Sequence, residues 1–261
     1  MKKYFAVILV FGLMLLSDCS DLLKSNNNKN DDPVDVLGYE IDEIPEKCIA
    51  ANNDFSMNLF KSVNTEDQAK NVFLSPVSAS FSLGMTMNGA GGNTYEEMKN
   101  TLGFNDLSLE EINATYGALI EELYNVSDGV EFNLANSIWY SNQFSIQDEL
   151  RQLNENYFNA KVEGLDFGNV ENTLNTINDW VEDQTENRIK DLIKEIDPNA
   201  CMFLINAIYF KADWKYQFDE ESTQESPFLI SNDEAVSCDM MNIKSNFKFQ
   251  QANDYDAVEL P

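Results

Sequence analysis

The run ACMFLINAIYF, from Ala200 to Phe210, is apolar at every position except Asn206. A surface helix or a half-exposed strand would break such a run with polar residues at a period near 3.6 or 2, so it reads as a strand buried on both faces. A strand of that kind needs a sheet around it and packed cover above and below. Asn206 is then the costly residue, because a buried amide is tolerated only when it is hydrogen-bonded. The chain has 261 residues and a hydrophobic fraction of 43%, enough for a core of this size in one large domain or two small ones.

The segments around that strand supply the cover. NNDFSMNLFKSV, from Asn52, sets Phe55, Leu59 and Phe60 on one side of a helix, with Asn53 or Asp54 as its N-cap. NVFLS follows as a short strand. SPVSASFSLGMTMNGAGGN then opens a helix with Ser75 as N-cap and Pro76 as first helical residue. Its small side chains Ser78, Ala79, Ser82 and Gly84 suit a buried helix whose backbone is closely approached. Thr94 with Glu97, and Ser108 with Glu111, have the spacing of capping boxes. VEFNLANSIWYS, from Val130, is a long β pattern, and ENTLNTINDWVEDQTENRIKDLI, from Glu171, is a long amphipathic helix carrying Leu174, Ile177, Trp180 and Val181. After Trp214, β segments are expected near Ser226 to Ile230, Ala235 to Met241, Asn246 to Gln251 and in the terminal NDYDAVELP. Helices come first and strands accumulate later, which predicts an α+β fold with a large sheet.

Composition excludes several functions. Lys plus Arg number 17 against 45 Asp plus Glu, a formal charge of −28, so nucleic acid and anionic membrane surfaces are repelled as partners. The chain contains 0 histidines, which removes Ser-His-Asp triads, Cys-His dyads and H-E-x-x-H zinc sites. No C-x-x-C spacing is present, so neither a metal site nor a cofactor is expected. Paired carboxylates of a glycosidase remain open, but no two acids are marked as facing one another. GAGGN, Gly89 to Asn93, lacks the G-K-[ST] of a phosphate loop and is better read as a tight turn between helices. Asn113 and Asn125 begin the sequons NAT and NVS, here taken as incidental.

MKKYFAVILVFGLMLLSDC places Lys2 and Lys3 before an apolar stretch too short to span a bilayer, the pattern of an export signal over residues 1–18. LLSDC resembles a bacterial lipobox, which implies lipidation of Cys19. Asp18 departs from the small neutral residue usual there, and an ordinary cleaved secretory signal is the alternative. Residues 19–47, rich in Asn, Asp and Ser, read as a flexible tether leading to a domain that begins at Cys48. The location expected is therefore exported, either secreted or as a cell-envelope lipoprotein. With Cys19 lipidated, Cys48, Cys201 and Cys238 are left, an odd set that forms no disulfide framework.

Taken together, three long motifs resemble the serpin family. VFLSPVSASFSLGMTMNGAGGNTYEEMKNTLGF is similar to its N-terminal signature, INDWVEDQTENRIKDLI to the helix that lies over its main sheet, and LINAIYFKADW, followed by Phe218, Thr223 and Phe228, to its most recognisable strand and turn. Ala212 departs from the family, which usually has glycine there. The resemblance implies a serpin fold, N-terminal helices on a large central sheet with smaller sheets, of which residues 48–261 would be roughly the N-terminal two thirds. It implies no catalysis but inhibition by a suicide-substrate loop: a target serine protease, or a cysteine protease, cleaves an exposed loop that then inserts into the sheet. It also implies that Ser75, Pro76, Ser78 and Asn206 form the shutter beneath the sheet, and that Trp214 marks the breach where insertion starts. By the same resemblance, the reactive loop, its scissile bond and the shutter histidine are expected beyond residue 261, which would leave the main sheet and the last strand with open edges. A serpin-fold protein that binds without inhibiting, and an acidic surface glycan-binding protein or hydrolase, are the alternatives.

Overall fold

In a computed structural model of the protein the residues described are 44–66, 71–125, 130–197, 199–230, 234–253 and 256–260. The expected export signal, most of the expected tether and Cys19 lie outside them. Two compact units are formed, the first from residues up to 127 with Glu131–Lys211, the second chiefly from Ala212 onward.

Among the described residues the first unit holds six helices and three strands in the order α1 (Glu46–Glu66), α2 (Pro76–Met87), α3 (Gly92–Leu102), α4 (Leu109–Tyr124), β1 (Val130–Ser141), α5 (Asp148–Phe158), β2 (Lys161–Leu165), α6 (Val170–Gln184) and β3 (Met202–Ala212). The strands form one sheet in the order β2-β1-β3. β1 and β2 are parallel, with Ser137 opposite Lys161, and α5 makes the crossover between them. Contacts at Ser141–Cys201, Asn136–Asn206 and Glu131–Lys211 run in opposite directions along β1 and β3, so that pair is antiparallel.

Side-chain alternation divides the core between the two faces of the sheet. Leu134 and Ile138 of β1, with Met202, Leu204 and Ile208 of β3, pack with Phe81, Met85, Tyr116 and Phe158 of the helices on one face. Ala135 and Trp139 of β1, with Phe203, Ile205 and Ala207 of β3, pack with Ile177 and Val181 of α6 on the other. Every residue of β3 from Met202 to Tyr209 is buried, as the apolar run requires. α2 is buried along most of its length, and a methyl group at Gly84 would sit 2.6 Å from Tyr116 Cε2, which explains the glycine there.

Several sequence expectations need correction. α1 begins at Glu46, so Asn53 and Asp54 lie inside the helix and neither is its N-cap. Cys48 is fully buried and continues the core-facing stripe of Phe55 and Leu59 toward the N-terminus, while Phe60 is exposed. NVFLS is not a strand among the described residues: Asn71 to Ser75 are non-helical and have no ladder partner. The Thr94 box does not form, because α3 starts at Gly92 with Gly91 at the N-cap and no side-chain cap; the Ser108 box does form. α6 ends at Gln184. Thr185 closes it by donating its hydroxyl to Val181 O (2.7 Å), and Glu186 and Asn187 then take left-handed conformations. The rest of that motif and the residues after it, 188–197, form an irregular strap that presses Ile189, Ile193 and Ile196 into the core. Asn178 of α6 holds it with two hydrogen bonds to Ile193 (2.8 and 2.9 Å).

The second unit consists of two antiparallel ribbons, β4 (Gln224–Leu229) with β5 (Ala235–Met240) and β6 (Lys248–Gln251) with β7 (Asp256–Glu259). The terminal strand thus has a partner, β6, on one side. Helices packed on sheets make the fold α+β, and its main sheet has three strands among the described residues.

Candidate functional site

The polar residues singled out in the sequence fall into two buried hydrogen-bonded groups. Ser75 caps α2, accepting from Ser78 N (3.4 Å) and from the Ser78 hydroxyl (3.1 Å), with Pro76 as first helical residue between them. Ser75 is nearly buried and Ser78 fully so. Pro76 contributes no N–H and a φ already suited to the helix, so the cap forms at low entropic cost.

Asn206 forms the second group with a residue that the sequence reading missed. Its Nδ2 donates to Asn136 Oδ1 (2.6 Å), and Asn136 Nδ2 donates in turn to Phe158 O (2.8 Å). Both asparagines are buried. Their even-numbered positions place them with Leu134, Ile138, Leu204 and Ile208, on the face that meets α2 and α5. Asn136 carries the same signal as Asn206, an amide at a core-facing register of an apolar strand, but the alternation of VEFNLANSIWYS hides it among other polar residues. No hydrogen bond joins this pair to Ser75 or Ser78 among the described residues, so the serines and Asn206 share one face of the core as separate networks. Asn206 Oδ1 is buried and has no hydrogen-bond partner among the described residues. Among the described residues β3 is also an outer strand of its sheet, although both faces of Met202–Tyr209 are packed. A strand buried from Met202 to Tyr209 whose outer edge is unpaired among the described residues, next to a buried acceptor, is an arrangement that another strand could complete.

Trp214 lies in the second unit, just beyond β3, where it is 46% exposed and meets Phe218 edge to face at 6.3 Å between ring centroids. It is not a core residue. Asn113 is buried at 1% exposure and its Nδ2 donates to Asn88 Oδ1 and Leu109 O, so its sequon is closed in the folded chain. The carboxyl groups of Glu111 and Glu131 are held below the ordinary carboxylate range, Glu111 chiefly by the Ser108 backbone N–H and Glu131 chiefly by its hydrogen bond from Lys211. A general acid would need the opposite shift. Among the described residues no group of three or more Cys, Asp and Glu is placed to hold a metal ion.

The serpin family, described as serine protease inhibitors, matches residues 50–261, and the chain belongs to it. Membership of a family of inhibitors sets the chain apart from enzymes. An uncharacterized serpin-like protein of Methanosarcina acetivorans is 32% identical over 97% of this chain and 59% of its own length. Human neuroserpin is 32% identical over 83% of this chain and 55% of its own. Ovalbumin from emu, Dromaius novaehollandiae, superimposes with a TM-score of 0.77 at 27% identity, over 82% of this chain and 60% of that structure. The chain therefore spans somewhat more than half the length of the relatives it matches.

Proposed function

We propose that these residues form the receiving frame of a protease inhibitor, in which a cleaved reactive loop enters the sheet as a new strand beside β3. The observation that carries this reading is the outer edge of β3, unpaired among the described residues, on a strand whose eight residues from Met202 to Tyr209 are buried on both faces. An entering strand would satisfy the open backbone groups of β3, which are costly to leave unpaired away from water. It would also bring polar groups within reach of Asn206 Oδ1. In this reading Ser75, Pro76, Ser78 and Asn206 act as the shutter over which strands part, with Asn136 as a further member. Trp214, placed directly after β3, is the breach residue. The target is a serine protease, with a cysteine protease as the variant case, and the protein is consumed by the reaction. Export under residues 1–18 with a lipid on Cys19, or secretion without one, puts the inhibitor where foreign proteases are met; support for this comes from the sequence pattern alone.

The test is to titrate a panel of serine and cysteine proteases with the complete gene product, reading residual protease activity and denaturant-resistant bands. Stoichiometric loss of activity with a band at the summed mass is expected for at least one protease. A protein that every protease either ignores or digests without losing activity would instead be a serpin-fold binder.

A further inference from the structure

Asn88 and Gly89, at the end of α2, are the one Asn-Gly pair in the chain. That dipeptide carries a chemical liability. The backbone nitrogen of the glycine, unshielded by a Cβ on its own residue, can attack Cγ of the asparagine side chain. A new N–C bond closes a succinimide ring, the bond from Cγ to the amide nitrogen breaks, and ammonia leaves. Water then opens the ring at either carbonyl, leaving Asp or isoAsp.

The fold ties down both reacting partners. Gly89 N donates to Thr86 O (3.0 Å). On the side chain, Asn88 Oδ1 accepts from Asn113 Nδ2 (2.8 Å) and Asn88 Nδ2 donates to Asn154 Oδ1 (3.3 Å), so the amide is clamped between α4 and α5. Asn154 is in turn fixed by donation to Leu150 O (2.9 Å). Attack would require Gly89 to leave Thr86 and the Asn88 amide to turn away from two neighbours at once.

We infer that Asn88–Gly89 is a spontaneous deamidation site that the packed α2, α4 and α5 junction keeps closed and that local opening exposes. Conversion is one-way in its effect. An aspartate at 88 has no N–H to give Asn154 Oδ1 and sets two acceptors against each other in a half-buried place. An isoaspartate also reroutes the main chain through the side chain, in the turn that leads into α3. A molecule that has opened and reacted thus closes less well.

The full chain is incubated in native buffer and in denaturing urea at one pH and temperature. The peptide containing Asn88 is followed by mass spectrometry for the amide-to-acid gain and by isoaspartyl methyltransferase labelling, while tryptophan emission, to which the buried Trp139 contributes, verifies folding. Conversion at least ~10-fold slower in the folded sample is expected, since it must wait for opening. Equal rates in a sample shown to be folded would overturn the inference. Asn113→Ala, which removes one of the two bonds on the side chain, should speed native conversion by roughly fivefold; an unchanged rate would count against the clamp. Asn88→Asp should lower the urea midpoint, and an unmoved midpoint would show that conversion leaves the junction intact.

Discussion

Asn136 accepts a hydrogen bond from Asn206 and donates one to Phe158 O, all of it away from water. Replacing it with alanine strips two buried groups of their partners, at about 1–3 kcal/mol for each group left unsatisfied. Replacing Asn206 strips only Asn136 Oδ1, and it also removes an oxygen that is already unpaired. The two substitutions are therefore unequal: Asn136→Ala should cost about 2–6 kcal/mol and Asn206→Ala about 1 kcal/mol, read from urea midpoints at constant slope. If Asn206→Ala proves the more damaging, Asn206 Oδ1 has a partner beyond those described, and the amide pair is part of a wider network. Sequence reading found Asn206 because a single polar residue in an apolar run is conspicuous. It missed Asn136 because Glu131, Asn133 and Ser137 stand close by in the same strand, so that one more polar residue, even at the core-facing register, is not conspicuous.

At the scale of elements, the start of α4 offers a cap that can be measured. Ser108 Oγ accepts from Glu111 N (3.2 Å) while Ser108 N donates to Glu111 Oε2 (2.8 Å), satisfying two groups that the helix leaves open. Ser108→Ala should cost about 1 kcal/mol at neutral pH. Because the Ser108 N–H holds the Glu111 carboxyl below its ordinary value, the folded state favours the ionised form. Its contribution is then complete above the unfolded value of about 4.3 and is lost as pH falls through the lower folded value. The midpoint difference between wild type and Glu111→Gln should accordingly shrink in acid; a difference constant from neutral pH to pH 3 would mean that the carboxylate charge plays no part. This box was legible because all of its groups are local. The Thr94 box had the same spacing but was displaced by Gly91 and Gly92, which start α3 earlier with no side-chain cap. β1 runs from Val130 to Ser141 as its sequence pattern predicts, and it is buried continuously from Leu134 to Trp139. NVFLS forms no strand among the described residues because a strand exists only with a neighbour, and which segments become neighbours is a property of the whole fold. α6 was overextended for a related reason: Ile189, Ile193 and Ile196 continue a helical spacing, yet they reach the core from a strap pinned by Asn178.

Over the whole molecule, charge is the largest unbalanced term. With 45 acids against 17 bases, most carboxylates have no cation to pair with, and compaction brings them closer together. The ion pairs present, such as Lys190–Glu182 and Lys161–Glu163, are partly exposed and contribute about 0–1 kcal/mol each. Screening weakens both the attractions and the repulsions, and at a net charge of −28 the repulsions dominate. Raising sodium chloride from about 0.05 M to about 0.5 M shortens the screening length from roughly 14 Å to roughly 4 Å, below the spacing of most surface charges. The thermal midpoint should then rise by several degrees, equivalent to about 1–2 kcal/mol for a chain of this length. Chloride is the appropriate salt, since sulfate would strengthen apolar burial and confuse the cause. A midpoint that falls with salt would place the net stabilisation in the ion pairs. The same screening should leave the difference between Asn136→Ala and Asn206→Ala unchanged, because those amides are uncharged and buried beneath the sheet.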